Sequence, residues 1–209
     1  MSEKNAATLA TQDEGSVLQE LNKKFVQDAH DQGLVEISYR IVESPIGRLL
    51  IATTEAGLVR VAFETEGHES ILDTLAQKIG PRILKDRGAL DDVARQLDQY
   101  FDGSLRNFSL SLDLRLSTEF RRQVQVELGN IAYGQTLSYA QMAQQVGKPK
   151  AVRAVGTACA TNPLPIVLPC HRVLRSDGSL GGYLGGLDVK SRLLHLENPD
   201  YLGTGATLF

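Results

Sequence analysis

Cys170 stands in the segment Asn162-Pro163-Leu164-Pro165-Ile166-Val167-Leu168-Pro169-Cys170-His171-Arg172-Val173, whose residue types equip a thiol to react. A thiol attacks as its thiolate, so it needs a base or a positive charge close by, and His171, Arg172 and Arg175 offer both. The three prolines fix φ and withdraw backbone donors, so Ile166-Val167-Leu168 is at most a short buried strand delivering Cys170 to a rigid turn. Adjacent residues in extended chain point to opposite sides. His171 therefore reaches the sulfur through a water or a tight turn, which makes a proton relay the expected arrangement. The second cysteine, Cys159, reads as a small hydrophobe on a helix.

Downstream, Ser176-Asp177-Gly178-Ser179-Leu180-Gly181-Gly182-Tyr183-Leu184-Gly185-Gly186 is a glycine-rich loop without the Gly-Lys-Ser/Thr of a P-loop. Its glycines let backbone approach a ligand, and Tyr183 offers a ring to a planar base. A helix from Val189 to about Glu197 closes the ordered pattern.

Three helical patterns position this segment from the N-terminal side. The first runs from about Thr118 to Ile131. The second opens on Ser138-Tyr139-Ala140-Gln141, with capping-box spacing, and closes at Gly147; the third runs from Lys150 to about Thr161. Helix, short glycine-terminated turn and helix is the helix-turn-helix arrangement. At 100° per residue the third helix puts Val152, Val155 and Cys159 on an inward face and Lys150, Arg153, Thr157 and Thr161 on the opposite arc. Between Lys148 and Arg192 seven basic residues face only Asp177 and Asp188, so the stretch is locally positive although the chain carries −3 overall.

The first half reads differently. Residues 1–15 show no apolar period, and Val17, Leu18, Leu21 and Phe25 then fall at helical spacing. From Glu36 to Glu64 the pattern turns to β, with Ile37, Tyr39 and Ile41, Leu49 to Thr53 and Leu58 to Phe63 separated by turns at Ser44 to Gly47 and Glu55 to Gly57; an antiparallel hairpin or meander is expected. Helices follow at about Ser70 to Ile79 and Leu90 to Phe101. Phe108, Leu110, Leu112 and Leu114 alternate as one more strand or an extended link.

The expected fold is thus α/β in the α+β sense, divided into a tail and short helix (1–35), a small antiparallel-sheet domain with helices (36–115) and a mostly helical helix-turn-helix domain bearing the active site (116–209). With 42% apolar residues the chain can build a core. Two cysteines and a polar start argue against a secreted disulfide scaffold, and no apolar run is long enough for a membrane span, so an intracellular, cytoplasmic protein is expected.

The motifs Ser138-Tyr139, Arg153-Ala154-Val155-Gly156, Asn162-Pro163, Pro169-Cys170-His171-Arg172-Val173, Gly185-Gly186 and Leu193-Leu194-His195-Leu196-Glu197, in this order and spacing, resemble the O6-alkylguanine-DNA alkyltransferase family, also called methylated-DNA–protein-cysteine methyltransferases. The resemblance implies that Cys170 accepts an alkyl group irreversibly, that His171 deprotonates it through a water, and that Glu197 orients the imidazole. It implies that Asn162 braces the active-site turn, that Arg153 fills the stack left by a flipped base, and that Tyr139 lies near the target phosphate and protonates the leaving guanine. The helix carrying Lys150, Ala151 and Ala154 would enter the minor groove of double-stranded alkylated DNA, its small residues permitting close approach. Tyr183, Leu184, Pro165, Val173 and Cys159 would surround the base. Leu184 replaces a small or hydroxyl side chain of many relatives, which shifts bonding of the lesion oxygen to backbone amides.

The chemistry demands no cofactor. Some relatives hold zinc in the first half, but here only His30 and His68 stand there, without cysteine, so no metal is expected. A monomer is expected, with cooperativity on DNA open. Two other functions fit parts of the pattern: a lesion-binding module without chemistry, against which Cys170 stands, and a thiol hydrolase, which would need an oxyanion hole and turnover.

Overall fold

The structure of the protein, a computed structural model, describes residue 17 and residues 20–201. The whole of the expected tail, residues 1–15, and Leu18 of the expected first helix lie outside the described residues. Helix α1 covers 20–31 and ends on Gly33, whose φ of 64° lets Leu34 N–H bond back to the Ala29 carbonyl at 2.9 Å. Val17, Leu21 and Phe25 are exposed, so the apolar stripe read from the sequence does not face the core. The helix is held instead through Ala29 and through His30, whose Nε2 lies 2.8 Å from Asp86 Oδ2.

Strands β1 (Ile37–Val42), β2 (Leu49–Thr54) and β3 (Gly57–Phe63) form the expected antiparallel meander. The sheet is nevertheless mixed, because β4 (Ile83–Lys85) pairs parallel to β1 and gives the order β3-β2-β1-β4. Helix α2 (His68–Lys78) supplies the crossover that a parallel neighbour requires. The alternating segment at 108–114 is an extended link, touching the sheet at one bridge between Leu58 and Leu112. It runs so close to the β2–β3 turn that a Cβ on Gly57 would overlap the Ser111 backbone.

Both faces of the sheet are buried, which is why β2 reads as an unbroken apolar run. Leu50, Ala52, Val59 and Ala62 pack with Leu75 of α2 on one side. On the other, Leu49, Ile51, Val61 and Phe63 pack with Leu97 and Tyr100 of α3 (Asp91–Phe101) and also with Leu164, Ile166, Leu168 and Leu193 from the second half. The Val61 N–H donates to the Pro163 carbonyl at 2.9 Å. One apolar core therefore runs from the sheet to the segment that carries Cys170.

The second half contains α4 (Glu119–Leu128), β5 (Leu137–Ser138), α5 (Tyr139–Gln145), α6 (Val152–Ala160), β6 (Val173–Leu174) and α7 (Gly186–Glu197). Ser138 caps α5 as its sequence implies: its Oγ accepts from Gln141 N–H at 3.2 Å and Gln141 Oε1 accepts from Ser138 N–H at 2.7 Å. The helix stops where Gly147, at φ 69°, allows Lys148 N–H to reach the Ala143 carbonyl. Parallel pairing of β5 with β6 ties the start of α5 to the chain just beyond Cys170. No helix among the described residues is long and apolar enough to cross a membrane.

Candidate active site

Cys170 is held by a closed circuit of hydrogen bonds. Asn162 Oδ1 accepts from Leu164 N–H at 3.1 Å, while its Nδ2 donates to the Leu168 carbonyl at 2.8 Å and to Cys170 Sγ at 3.3 Å. Leu168 N–H returns to the Leu164 carbonyl, and Cys170 N–H bonds the Leu168 carbonyl across Pro169, both at 2.8 Å. The Ile166-Val167-Leu168 run is thus a turn and not the short strand the sequence allowed. Ile166 adopts φ 74°, the left-handed region in which a β-branched residue is strained, and its burial in the shared core offsets that cost.

Cys170, His171 and Arg172 form a 3₁₀ turn, and all three are buried. His171 Nε2 lies 2.8 Å from Glu197 Oε1. A carboxylate only accepts, so Nε2 carries the proton and Nδ1 keeps its lone pair; Nδ1 has no hydrogen-bond partner among the described residues. Burial lowers the proton affinity of His171, with the charges of Arg172 and Lys190 adding to it, while the bond to Glu197 and its charge partly restore it; the net direction is down, so the imidazole is neutral at neutral pH.

Glu197 ends α7, where the helix dipole disfavours a negative charge. Five donors compensate. Oε1 accepts from His171, from Arg172 Nη2 at 2.9 Å and from Tyr100 Oη at 2.7 Å; Oε2 accepts from Arg172 Nε at 2.8 Å and Gly134 N–H at 3.2 Å. Burial alone would raise the carboxyl, but the hydrogen bonds from His171 and Arg172 and the Arg172 charge win, and it is held far below the usual carboxylate range.

Arg172 departs from the expected role. Its guanidinium also bonds the Ile131 carbonyl and lies over the Tyr133 ring, so it serves Glu197 and not the sulfur. Arg175 is exposed, and its backbone closes the turn to Ser179. The positive charge that acts on the thiol is instead that of Lys190, a wholly buried side chain whose Nζ donates to the Val173 carbonyl at 2.7 Å and to that of Gly181 at 3.4 Å. Sequence reading missed it because a lysine in the first half of a helix ordinarily reads as solvated; its spacing on the apolar face with Leu193 and Leu194 was the available signal.

Burial pushes the Cys170 thiol up to about 11, against the pull of the Asn162 hydrogen bond and the Lys190 charge. The resting sulfur is therefore protonated, and at 3% exposure it is shielded from solvent. Tyr139 opens α5, half-buried, and burial first and the nearby Cys159 and Cys170 second raise its hydroxyl to about 12. Its ring fills the space where Gly181 lacks a Cβ.

Cys159, Val173, Tyr139 and Tyr183 pack in one cluster with Cys170. Tyr183 meets Phe63 of β3 edge-on, with centroids 5.5 Å apart, and stands edge-on to His171 at 6.4 Å. Leu184 packs against the core shared with the sheet, and Pro165 is buried in the turn beside it. On α6, Val155 and Cys159 are inward as expected, whereas Val152, the first residue of the helix, is 36% exposed, and Ala158 is buried with the other two. Lys150, Arg153, Ala154, Thr157 and Thr161 are exposed and Ala151 half-exposed.

Residues 37–114 match the family model of the 6-O-methylguanine DNA methyltransferase ribonuclease-like domain, and residues 119–199 match that of the 6-O-methylguanine DNA methyltransferase DNA binding domain. A methylated-DNA–protein-cysteine methyltransferase of Methanosarcina barkeri is 43% identical over 159 residues, covering 76% of this chain and 96% of that protein. Its counterpart in Mycobacterium leprae is 43% identical over 173 residues, covering 83% and 99%. Among solved structures, the Mycobacterium tuberculosis O6-methylguanine methyltransferase aligns with a TM-score of 0.69 at 39% identity, covering 78% of this chain and 93% of that one. The OGT of the same organism in complex with DNA aligns at 0.66 and 38% identity, with the same coverage. Carried by both halves of the sequence and by the fold, the conclusion is that this chain belongs to the 6-O-methylguanine DNA methyltransferase family.

Proposed function

We propose that this protein repairs DNA directly, taking the alkyl group from O6 of guanine and keeping it on Cys170. The thiolate attacks the alkyl carbon, a sulfur–carbon bond forms as the carbon–O6 bond breaks, and the electron pair leaves with the guanine oxygen. The proton of the thiol passes through a water to His171 Nδ1, and the departing base takes a proton from the Tyr139 hydroxyl, which at about 12 is still protonated at neutral pH. Guanine and a thioether result. A thioether offers no good leaving group, so each molecule acts once.

The observation that carries this reading is the buried line from Glu197 through His171, with the free imidazole nitrogen on the side away from the carboxylate and Cys170 anchored one residue before it. A thiol raised by burial is inert until a base is aligned with it, which suits a protein that can react only once. No oxyanion-hole arrangement is needed for attack at an alkyl carbon.

Recognition falls to α6. The alkyl group on O6 is out of a protein thiolate's reach inside the base stack, so the nucleotide must be flipped, at a cost of a few kcal/mol that is smaller for a weakened alkylguanine pair. We assign Arg153 to the space the base leaves, Lys150 to phosphate, and Ala151 and Ala154 to close contact in the minor groove of double-stranded DNA. Tyr183, Leu184, Pro165, Val173 and Cys159 surround the flipped base, and Asn162 braces the turn beneath it. In this reading 36–115 and 116–209 act as two domains, the second carrying recognition and transfer, and the protein works as a monomer wherever the cell keeps its DNA, which in bacteria is the cytoplasm.

Incubation with O6-methylguanine duplex followed by peptide mass analysis tests the assignment. A gain of one methylene on Cys170, stoichiometric and without turnover, is expected. Unmodified protein bound to the duplex would replace the reading with a lesion-binding module, and repeated turnover would replace it with a hydrolase.

A further inference from the structure

Four of the five donors to Glu197 come from the second half of the chain, and the fifth does not. It is Tyr100, on the last turn of α3, 97 residues before the carboxylate in sequence and wholly buried. Its ring is fixed by Phe101, Phe108 and Tyr133 at centroid distances of 5.4, 5.4 and 6.2 Å, so the hydroxyl is aimed by packing and not by chance rotation. At 2.7 Å it is the shortest of the three bonds on Oε1, the oxygen that His171 uses.

We propose that Tyr100 is a positioning residue of the alkyl-transfer reaction, through which the N-terminal half sets the basicity of Glu197 and thereby keeps His171 free to act as a base. The proposal rests on the relay described above. Two physical effects support it. A hydroxyl donating to Oε1 fixes where that oxygen lies and so aims the imidazole. The same bond draws charge density from the carboxylate, which weakens its hold on a second imidazole proton. Without it Glu197 would stabilise the imidazolium more strongly, and His171 would become occupied by a proton at higher pH.

The titratable and charged groups facing this pair are Cys170 and Arg172 on the same turn, Lys190 on α7, Tyr133 before β5, Tyr183 on the glycine-rich loop and Tyr100 itself. Arg172 and Lys190 disfavour a charged imidazole and remain unchanged in a Tyr100 variant. The effect of removing one hydroxyl is therefore read against a constant background.

The test is Tyr100→Phe, which keeps the ring and its aromatic contacts and leaves Glu197 four donors. Single-turnover transfer to O6-methylguanine duplex is followed against pH, DNA affinity is measured separately, and the His171 ring nitrogens are titrated by ¹⁵N NMR. The acid limb of the rate profile and the imidazole titration should both move to higher pH by about one unit, with DNA affinity unchanged. An unmoved titration, whatever happens to the rate or the stability, overturns the role of Tyr100. Since the NMR readout needs no transfer, a wild-type protein inert toward alkylated duplex would sink the functional reading while the titration still decides whether Tyr100 governs His171.

Discussion

On one side of Cys170, Glu197 accepts five hydrogen bonds, His171 and Arg172 are buried, and Asn162 satisfies three separate atoms of the turn. On the other side, the outer face of α6 presents Lys150, Arg153, Thr157 and Thr161 to solvent, and the two threonine hydroxyls donate back to the Arg153 and Thr157 carbonyls of their own helix. The buried side has its geometry before any substrate arrives. In the proposed reading, the exposed side gains its partners only when DNA arrives. Chemistry that runs once requires a preorganised base and acid, whereas recognition of a backbone that recurs along all DNA works by charge and shape and leaves its donors free meanwhile.

The sharpest way to break this division is Glu197→Gln. A carboxamide cannot accept all five donors and leaves Arg172 charged and uncompensated, so a loss of about 3–5 kcal/mol is expected in urea unfolding. Transfer should slow by about 10²-fold or more, because the imidazole loses the negatively charged acceptor that orients it and stabilises its protonated form. Acid behaviour adds a signed check. The folded carboxyl lies far below its ordinary value of 4.5, so its stabilisation is complete above that value and is lost as pH falls toward the folded one. The variant should lack this part of the acid dependence. Unchanged transfer in a folded variant would make Glu197 a purely structural group.

Arg153→Ala probes the opposite side and should give a smaller, differently distributed effect. Arg153 is exposed, so stability should change by no more than about 0.5 kcal/mol. Transfer from duplex should drop by about tenfold, on the order of a single well-placed contact, while transfer from the free alkylguanine base stays at the wild-type rate. Equal losses on both substrates would place Arg153 with the chemistry and erase the contrast between the two faces.

The same contrast governs how much could be read from the sequence. Ser138 with Gln141, Gly147, the alternating strands and Cys170 beside His171 are local signals, and local hydrogen bonding decides them. What escaped reading depends on partners remote in the chain. β4 is three residues whose only reason to be a strand is β1, more than 40 positions earlier. Ile166 accepts a left-handed φ because the sheet from the first half packs over it. Arg172 sits next to the catalytic pair in sequence but turns away to Glu197, and Lys190 and Tyr100 complete the site from helices whose apolar spacing was visible and whose polar tips were not. The cysteine, the histidine and the carboxylate of the candidate site were thus legible, and the buried groups from other helices that pack and bond around them were not.

Cys159→Ala gives the smallest expected effect and asks whether the second thiol belongs to either side. The side chain is 6% exposed, packs with Val155, Val173 and Cys170, and makes no hydrogen bond among those of the described residues. Burial first and the neighbouring Cys170 second push its thiol far above the ordinary range, while Lys190 only partly offsets them, so its thiolate is less accessible than that of Cys170. Removing one buried sulfur should cost about 1 kcal/mol and leave methyl transfer at the wild-type rate. If a larger alkyl group reacts faster in the variant, Cys159 forms part of the wall that limits adduct size. If methyl transfer itself falls, the cysteine contributes to holding Cys170, and the boundary between the preorganised side and the open one lies deeper in α6 than its burial pattern implies.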